Sequence, residues 1–534
     1  MVAMQVLSAA EMQACDRLTT ERFGVPSLDL MRAASTAVVA FARRHFPQAR
    51  RITVLCGRGN NGGDGMMAAR QLASAGLEVT TLLLGSRDAL KGDAAQAWQE
   101  LTSPAHGLIH IIESSQDLIR HHAALDTDLI LDAVVGTGFK PPLKGLALAA
   151  LEWVQASNAP ILAIDLPSGW PADETATTVA TPVFPADAVI TFTAPKPAHV
   201  FGQLTRHGSQ PIVVAPIGSP DEAMVSTSNL TWACSSLTQT PRAAASNKGN
   251  FGHVLVIGGS VGKSGAPAMA ALAAMRAGAG LVTAAVPAPI LPLVAAIAPE
   301  LITWPLDATP AGSISAENLA PETIAALTAG KTVLAIGPGL GQSPETVKFT
   351  TGLLSATRLP AVIDADALNI LAAKPVLLAK LARNRTLVLT PHPGEMARLV
   401  GLTVAEVQAN RLEVARSFAL RTGVTLVLKG WRTLIAHPDG RVAVNTTGNP
   451  GMAKGGSGDL LTGIIAGLLA QYPAEPAHAV EAAVYLHGLA GDFAVRDADE
   501  HTLLATDCLS RLSQAFRFRS GGQTGYLWLQ GLPR

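Results

Sequence analysis

Apolar residues recur along this chain in short, nearly unbroken runs rather than in strict alternation. In the first half RITVLC (51–56), EVTTLLL (78–84), DLILDAVV (128–135), PILAIDLP (160–167), DAVITFTA (187–194) and PIVVAP (211–216) each read as a strand. Strands apolar on both faces suit a mostly parallel sheet covered on both sides. GMMAARQLASAG (65–76) has the helical period, and residues 8–46 supply helical material before the first strand. The rhythm stops over 219–248, a stretch rich in Ser, Thr, Ala and Asn that is expected to be a linker. It restarts with HVLVIGG (253–259), LVTAAVP (281–287), TVLAIGPG (332–339), AVIDADA (361–367), TLVLTPHPGE (386–395) and TLVLKG (425–430). Closing helices are expected to begin near Ser457, His478 and Thr506. The pattern gives an α/β chain with domains over 1–218 and 249–520, and a tail over 521–534.

Length supports this division, since 534 residues exceed one ordinary core. Apolar residues make up 48%, charged ones 15%, and 40 basic side chains balance 40 acidic ones. Without a polybasic surplus, nucleic acid and anionic membrane are not expected partners. The run over 281–298 holds three prolines, which favours a strand, a loop and a short helix over a membrane span. Cys15, Cys56, Cys234 and Cys508 have no metal-ligand spacing and read as free thiols. The N-terminal stretch lacks a basic segment before an apolar core, so a cytoplasmic location is expected.

In open parallel sheets ligands sit beyond the carboxyl ends of strands, and that is where the unusual loops fall. GRGNNGGDG (57–65) follows the first strand, with glycines for close approach and Asn60, Asn61 and Asp64 as oxygen-bearing side chains. A ligand-free glycine turn is the plain alternative, which three polar side chains weaken. Asp132 lies at or near another strand end, with GTG just beyond; Asp165 follows a third, with Ser168 three residues on. Each alone could be a cap; together they can converge on one crevice, where oxygen ligands suit a hard cation.

The second half carries NTTGNPGMAKGGSGDLLTGIIAGLLA (445–470), a glycine-dense anion nest opening a helix with Asp459 in its first turn. Phosphate at that helix start and Asp459 facing a hydroxyl would supply charge stabilisation and a base for phosphoryl transfer. TPHPGE adds His392 and Glu395, DADALN adds Asp364, Asp366 and Asn369, GPGLG gives backbone access, and LVLKGWRT adds Lys429 and Thr433. GGSVGKS (258–264) imitates a phosphate-binding P-loop but has Ile257 where that pattern needs glycine.

GNNGGDG, DAxxGTG and IDxPSG together resemble the NAD(P)H-hydrate epimerase domain of bifunctional nicotinamide nucleotide repair proteins. The resemblance implies a Rossmann-like α/β/α domain that interconverts R and S forms of hydrated NADH or NADPH at C6, with bound K+. It implies substrate contacts from Asn60, Asn61, Gly62, Gly63 and Asp64, and from Gly136, Thr137, Gly138, Phe139, Lys140, Pro141 and Pro142. Asn61, Asp132 and Ser168 would hold the potassium, and Asp165 would contact the reacting end as a catalytic residue. GGS…SGAP, GPGLG, DADALN, TPHPGE, KGxxT and NPGMAxGGxGDxLTG resemble the ribokinase-like ADP-dependent NAD(P)H-hydrate dehydratases. There Lys429, Gly430, Trp431, Arg432, Thr433 and Gly458 would contact ADP, which binds with Mg2+. Ala266, Gly339, His392 and Asp459 would contact the hydrated dinucleotide, with Asp459 catalytic. Many relatives carry a tyrosine where this chain has Lys263.

The implied protein is an isomerase and lyase with small-molecule partners only, assembled as a homo-oligomer. A sugar or vitamin kinase fused to a nucleotide-binding domain would also use Asp459, but it has no need of the GNNGGDG, GTGF and PSG set. A non-catalytic dinucleotide sensor is a third class.

Overall fold

The computed structural model describes residues 4–102, 106–383, 385–521 and 525–533. The chain divides into two compact units, one of Met4–Leu230 with Arg519–Arg534 and one of Thr231–Phe518.

In the first unit the parallel strands Arg51–Cys56, Glu78–Leu84 and Leu108–Ile112 lie side by side. The chain then returns across the first strand, and Leu129–Ala133, Ile161–Ile164, Ala188–Phe192 and Ile212–Ala215 extend the sheet the other way. This reversal opens a crevice beyond Cys56 and Ala133, the position where open α/β sheets bind ligands. The second unit repeats the device. His253–Ile257 is flanked on one side by Leu281–Pro287 and Ile302–Leu306, and on the other by Val333–Ile336, Ala361–Ile363, Leu387–Leu389 and Thr425–Leu428. Leu434–Ala436 and Val442–Val444 continue that side antiparallel. Its reversal lies between the GGSVGKS and GPGLG loops.

Three expectations need correction. The NNGGDG stretch is not a loop: a helix runs Asn60–Ser74, beginning at the first asparagine. Glycine's poor helix propensity suggested a loop, but a Cβ on Gly62 would meet the Gly57 carbonyl at 1.9 Å and one on Gly65 would meet Ala133 Cβ at 2.5 Å. The glycines let the helix lie against the strands. The stretch 219–248 is no plain linker, since Leu230–Trp232 is a buried strand and Trp232 Nε1 donates to Thr446 Oγ1 at 2.8 Å. Nor is 521–534 only a tail. Leu527–Gln530 pairs antiparallel with Ile212–Ala215 and buries Trp528 and Leu529; 522–524 and 534 lie outside the described residues.

The remaining expectations match closely. The late helices run Ser457–Gln471, Pro476–Ala494 and Ala505–Ser510, and the 281–298 stretch is a strand followed by short helical turns. Among the described residues no helix is long and apolar enough to cross a membrane.

Candidate functional sites

A cavity of about 1140 Å³ occupies the crevice of the first unit. Asn60, Asn61, Asp64, Gly136, Thr137, Gly138, Phe139 and Asp165 line it as expected. Gly62, Gly63, Lys140, Pro141 and Pro142 are not among its lining residues. Gly63 instead packs under Met31, whose Cε would lie 2.6 Å from an added Cβ. Close approach is also required at Gly136, where a Cβ would sit 3.0 Å from Asp165 Oδ2 and 3.1 Å from Asn61 Cβ.

Asp165 follows the strand Ile161–Ile164 in a left-handed conformation, φ 69°. A non-glycine residue held there is costly and marks a constrained position. Its Oδ1 accepts from Lys196 Nζ at 2.9 Å and Thr191 Oγ1 at 2.9 Å; its Oδ2 accepts from the Thr137 amide at 2.8 Å and Thr137 Oγ1 at 2.5 Å. Burial by itself would raise its pKa, but Lys196, His199 and Thr137 outweigh burial and hold it well below the ordinary carboxylate range. His199 Nδ1 accepts the Lys196 amide at 3.0 Å, so Nε2 carries the proton and donates to the Asp165 carbonyl at 2.7 Å. Burial and Lys196 push His199 down to about 4, which keeps that tautomer neutral.

Two other carboxyls line the same cavity. Burial, then Asp165 and Asp16, push Asp64 well above its usual range; burial also raises Asp16 on the helix Ala9–Glu21, against the pull of Lys196. Behind the wall Asp132 is fully buried, accepting from Ser168 Oγ at 2.6 Å and the Ser168 amide at 2.8 Å. Burial raises it to about 6. The Asn61 amide is shielded from solvent, with neither its oxygen nor its nitrogen hydrogen-bonded.

In the second unit Asp364 organises the site. It follows the strand Ala361–Ile363, is 2% exposed, and accepts from Thr390 Oγ1 at 2.7 Å, Thr462 Oγ1 at 2.8 Å and Lys429 Nζ at 3.1 Å. Lys429 also lies 3.9 Å from Glu395 Oε2 and is held above its usual range, because those carboxylates outweigh its burial. Asp459 stands in the first turn of Ser457–Gln471, entered through Gly456 at φ 95°. A Cβ on Gly463 would meet the Ala270 carbonyl at 2.1 Å, so that glycine seats the helix on Gly265–Arg276. Burial and the neighbouring Asp364 push Asp459 up to about 6, against the opposing pull of Lys429.

The other expected residues gather around this centre. A Cβ on Gly458 would lie 3.4 Å from Lys429 Nζ. His392 caps the helix Pro393–Val400 by accepting the Gly394 amide at 3.0 Å, and its Nε2 lies 3.5 Å from Glu395 Oε1. Gly339 and Ala266 meet beside the Lys263 backbone. Lys263 itself is 57% exposed, its Nζ 3.8 Å from Asp366 Oδ2. Thr433 Oγ1 donates to the Gly430 carbonyl at 3.1 Å. Arg432 turns inward, buried and donating to the Thr446 carbonyl at 2.9 Å, with its guanidinium 4.4 Å from the Trp431 ring centroid.

Sequence reasoning missed Lys196, His199 and Asp16. Lys196 follows the strand Ala188–Phe192, so its strand-end position was the available signal; Asp16 sits inside an ordinary amphipathic helix and had none.

These features define a two-domain enzyme, Rossmann-like in its first unit and ribokinase-like in its second. Residues 254–514 match the NAD(P)H-hydrate dehydratase family, and residues 27–198 match the family described as YjeF-related protein N-terminus. The chain is 42% identical to the bifunctional NAD(P)H-hydrate repair enzyme Nnr of Moorella thermoacetica, covering 96% of this chain and 97% of the relative. It is 33% identical to the Nnr enzyme of Thermofilum pendens, covering 96% of each, and 36% identical to that of Coxiella burnetii, covering 93% and 96%. The chain belongs to the family of bifunctional NAD(P)H-hydrate repair enzymes.

Proposed function

We propose that the first unit interconverts the R and S hydrates of NAD(P)H and that the second dehydrates the S form while converting ADP to AMP and phosphate. The observation that carries the second activity is Asp459, raised to about 6 at a helix start beside Lys429. A general base works best with a pKa near the operating pH. Asp459 takes the proton of the C6 hydroxyl as its oxygen attacks the terminal phosphoryl of ADP, which leaves AMP. Phosphate then departs from C6 and a proton from C5, restoring the ring double bond. Lys429, Gly430, Trp431, Thr433 and Gly458 face the nucleotide, while Arg432 shapes the turn from inside. Ala266, Gly339 and His392 face the dinucleotide.

Magnesium fits the surroundings of Lys429, where Asp364 and Glu395 present carboxylate oxygens; bound with the nucleotide it would neutralise phosphate charge. In the first unit the unpartnered Asn61 amide oxygen and the Asp132–Ser168 pair would supply an all-oxygen donor set for potassium. It would supply fixed positive charge beside the substrate. Asn60, Asn61, Asp64 and Gly136–Phe139 form the substrate walls, and Asp165 keeps a fixed anion at the reacting end to stabilise positive charge on the ring.

The proposed site of this work is the cytoplasm, where NAD(P)H is used. The expected homo-oligomer is checked by light scattering. Mixed R and S hydrates with ADP and magnesium test the whole reading. Recovery of the NADH absorption band with stoichiometric AMP supports it; a stable phosphorylated alcohol would identify a kinase instead.

A further inference from the structure

The two units share a local plan that their sequences conceal. In each, a buried aspartate just past a strand end is locked by one lysine and two threonine hydroxyls: Asp165 by Lys196, Thr137 and Thr191, and Asp364 by Lys429, Thr390 and Thr462. In each, a second aspartate stands near the start of a helix reached through glycines: Asp64 on Asn60–Ser74 and Asp459 on Ser457–Gln471. The lysine is committed to the first aspartate, so the second is left without a paired cation.

This plan assigns the roles within the first site, on the reading that it is an epimerase. A carboxylate whose two oxygens already accept four hydrogen bonds has little capacity left for a substrate proton. Asp165 is in that state. Asp64 lines the same cavity, one turn along the helix from Asn61, and among the described residues no hydrogen bond reaches its carboxyl. We propose that Asp64 is the proton-transferring catalytic residue of the first site, and that the Lys196–Asp165 pair is a fixed electrostatic element that does not exchange protons with substrate. Protonated Asp64 gives its proton to the C6 hydroxyl. The C6–O bond breaks, water leaves, and the N1 lone pair forms a planar N1=C6 iminium. Water adds to the opposite face, the N1=C6 π electrons return to nitrogen, and the surplus proton goes back to Asp64. No oxidant or other co-reactant is consumed.

The charged groups facing Asp64 are Asp165, Asp16, Asp93 and Lys196, with Arg17, Glu21, Arg58 and Lys144 also on the cavity wall. Burial and the three aspartates favour its protonated form and Lys196 opposes it. Activity requiring that form falls as pH rises through its pKa.

The test uses the full chain and a purified R hydrate, without ADP so that dehydration is silent, following appearance of the S isomer by NMR. Wild type must first exceed spontaneous interconversion; failure there removes the epimerase reading itself, whatever Asp64 does. Given that activity, Asp64→Asn is expected to lower kcat by roughly 100-fold or more with KM little changed. Asp64→Glu is expected to restore much of the rate with a displaced alkaline limb. Asp165→Asn is expected to slow the reaction and, by removing a like charge and releasing Lys196, to move that limb toward lower pH. An Asp64→Asn protein that melts like wild type and epimerises within about threefold of it overturns the proposal. So does an alkaline limb that stays in place in Asp64→Glu, a readout that stands even where Asp64→Asn fails to fold.

Discussion

Asp165 in the first unit is buried and Asp459 in the second half-buried, each within electrostatic reach of a lysine, yet their surroundings push them in opposite directions. Burial alone disfavours either anion. For Asp165 the lysine is a direct partner at 2.9 Å, joined by threonine donors, and the anion is locked in. For Asp459 the lysine is already engaged by Asp364 at 3.1 Å, so the aspartate feels a like charge and a distracted cation. The comparison teaches that an aspartate beside a lysine is not one chemical object. Which carboxylate holds the lysine decides which carboxylate can move a proton.

The comparison breaks most readily at Asp459. Asp459→Asn is expected to reduce NADH recovery from S hydrate by about 1,000-fold or more, while R-to-S interconversion continues unchanged. Isomer-resolved chromatography beside the NADH absorbance reads both. Lys196→Met addresses the locked pair. It leaves a buried carboxylate without its cation, which costs about 3–5 kcal/mol, read by denaturant unfolding of the full chain. Adding Asp165→Asn to Lys196→Met is expected to recover part of that loss, since the uncompensated charge is then gone.

A pH series sharpens the contrast. Asp459 must be ionised to act as base, so the chemical step is expected to lose about tenfold per pH unit below about 6. Asp364→Asn removes the like charge and releases Lys429, and both changes move that acid limb to lower pH. Lys263→Ala should have the smallest effect, within about threefold of wild type, because its side chain is 57% exposed and its ammonium lies 3.8 Å from Asp366. A loss equal to that of Asp459→Ala would place Lys263 among the reacting groups.

The nearly unbroken apolar runs and strand-end loops exposed most of the two sheets and the placing of Asn61 and Asp165 on one crevice, with Asp132 and Ser168 paired behind its wall. Asp459 was legible because a glycine-dense approach to a helix has few other uses. Lys196 was not, since a lysine after a strand normally reaches solvent, and only the packed unit shows its ammonium 2% exposed against Asp165. The helix start at Asn60 was hidden for a related reason: glycines chosen for close packing look, in sequence, like glycines chosen for a turn. The edge strands Leu108–Ile112 and Ile302–Leu306 were missed because their apolar runs are brief and partly exposed.

The strand Leu527–Gln530 also sets an order of events during synthesis. Ile212–Ala215, its partner, leaves the ribosome about 310 residues earlier. At roughly 5–20 residues per second this is an interval on the order of 15–60 s. Through that time the first unit has an unpaired sheet edge, the feature most open to wrong pairing with other chains. The entire second unit is made within the same window. The rate at which the second unit is translated therefore governs how soon the first unit can be closed, and a pause in its synthesis would lengthen the exposure of that edge.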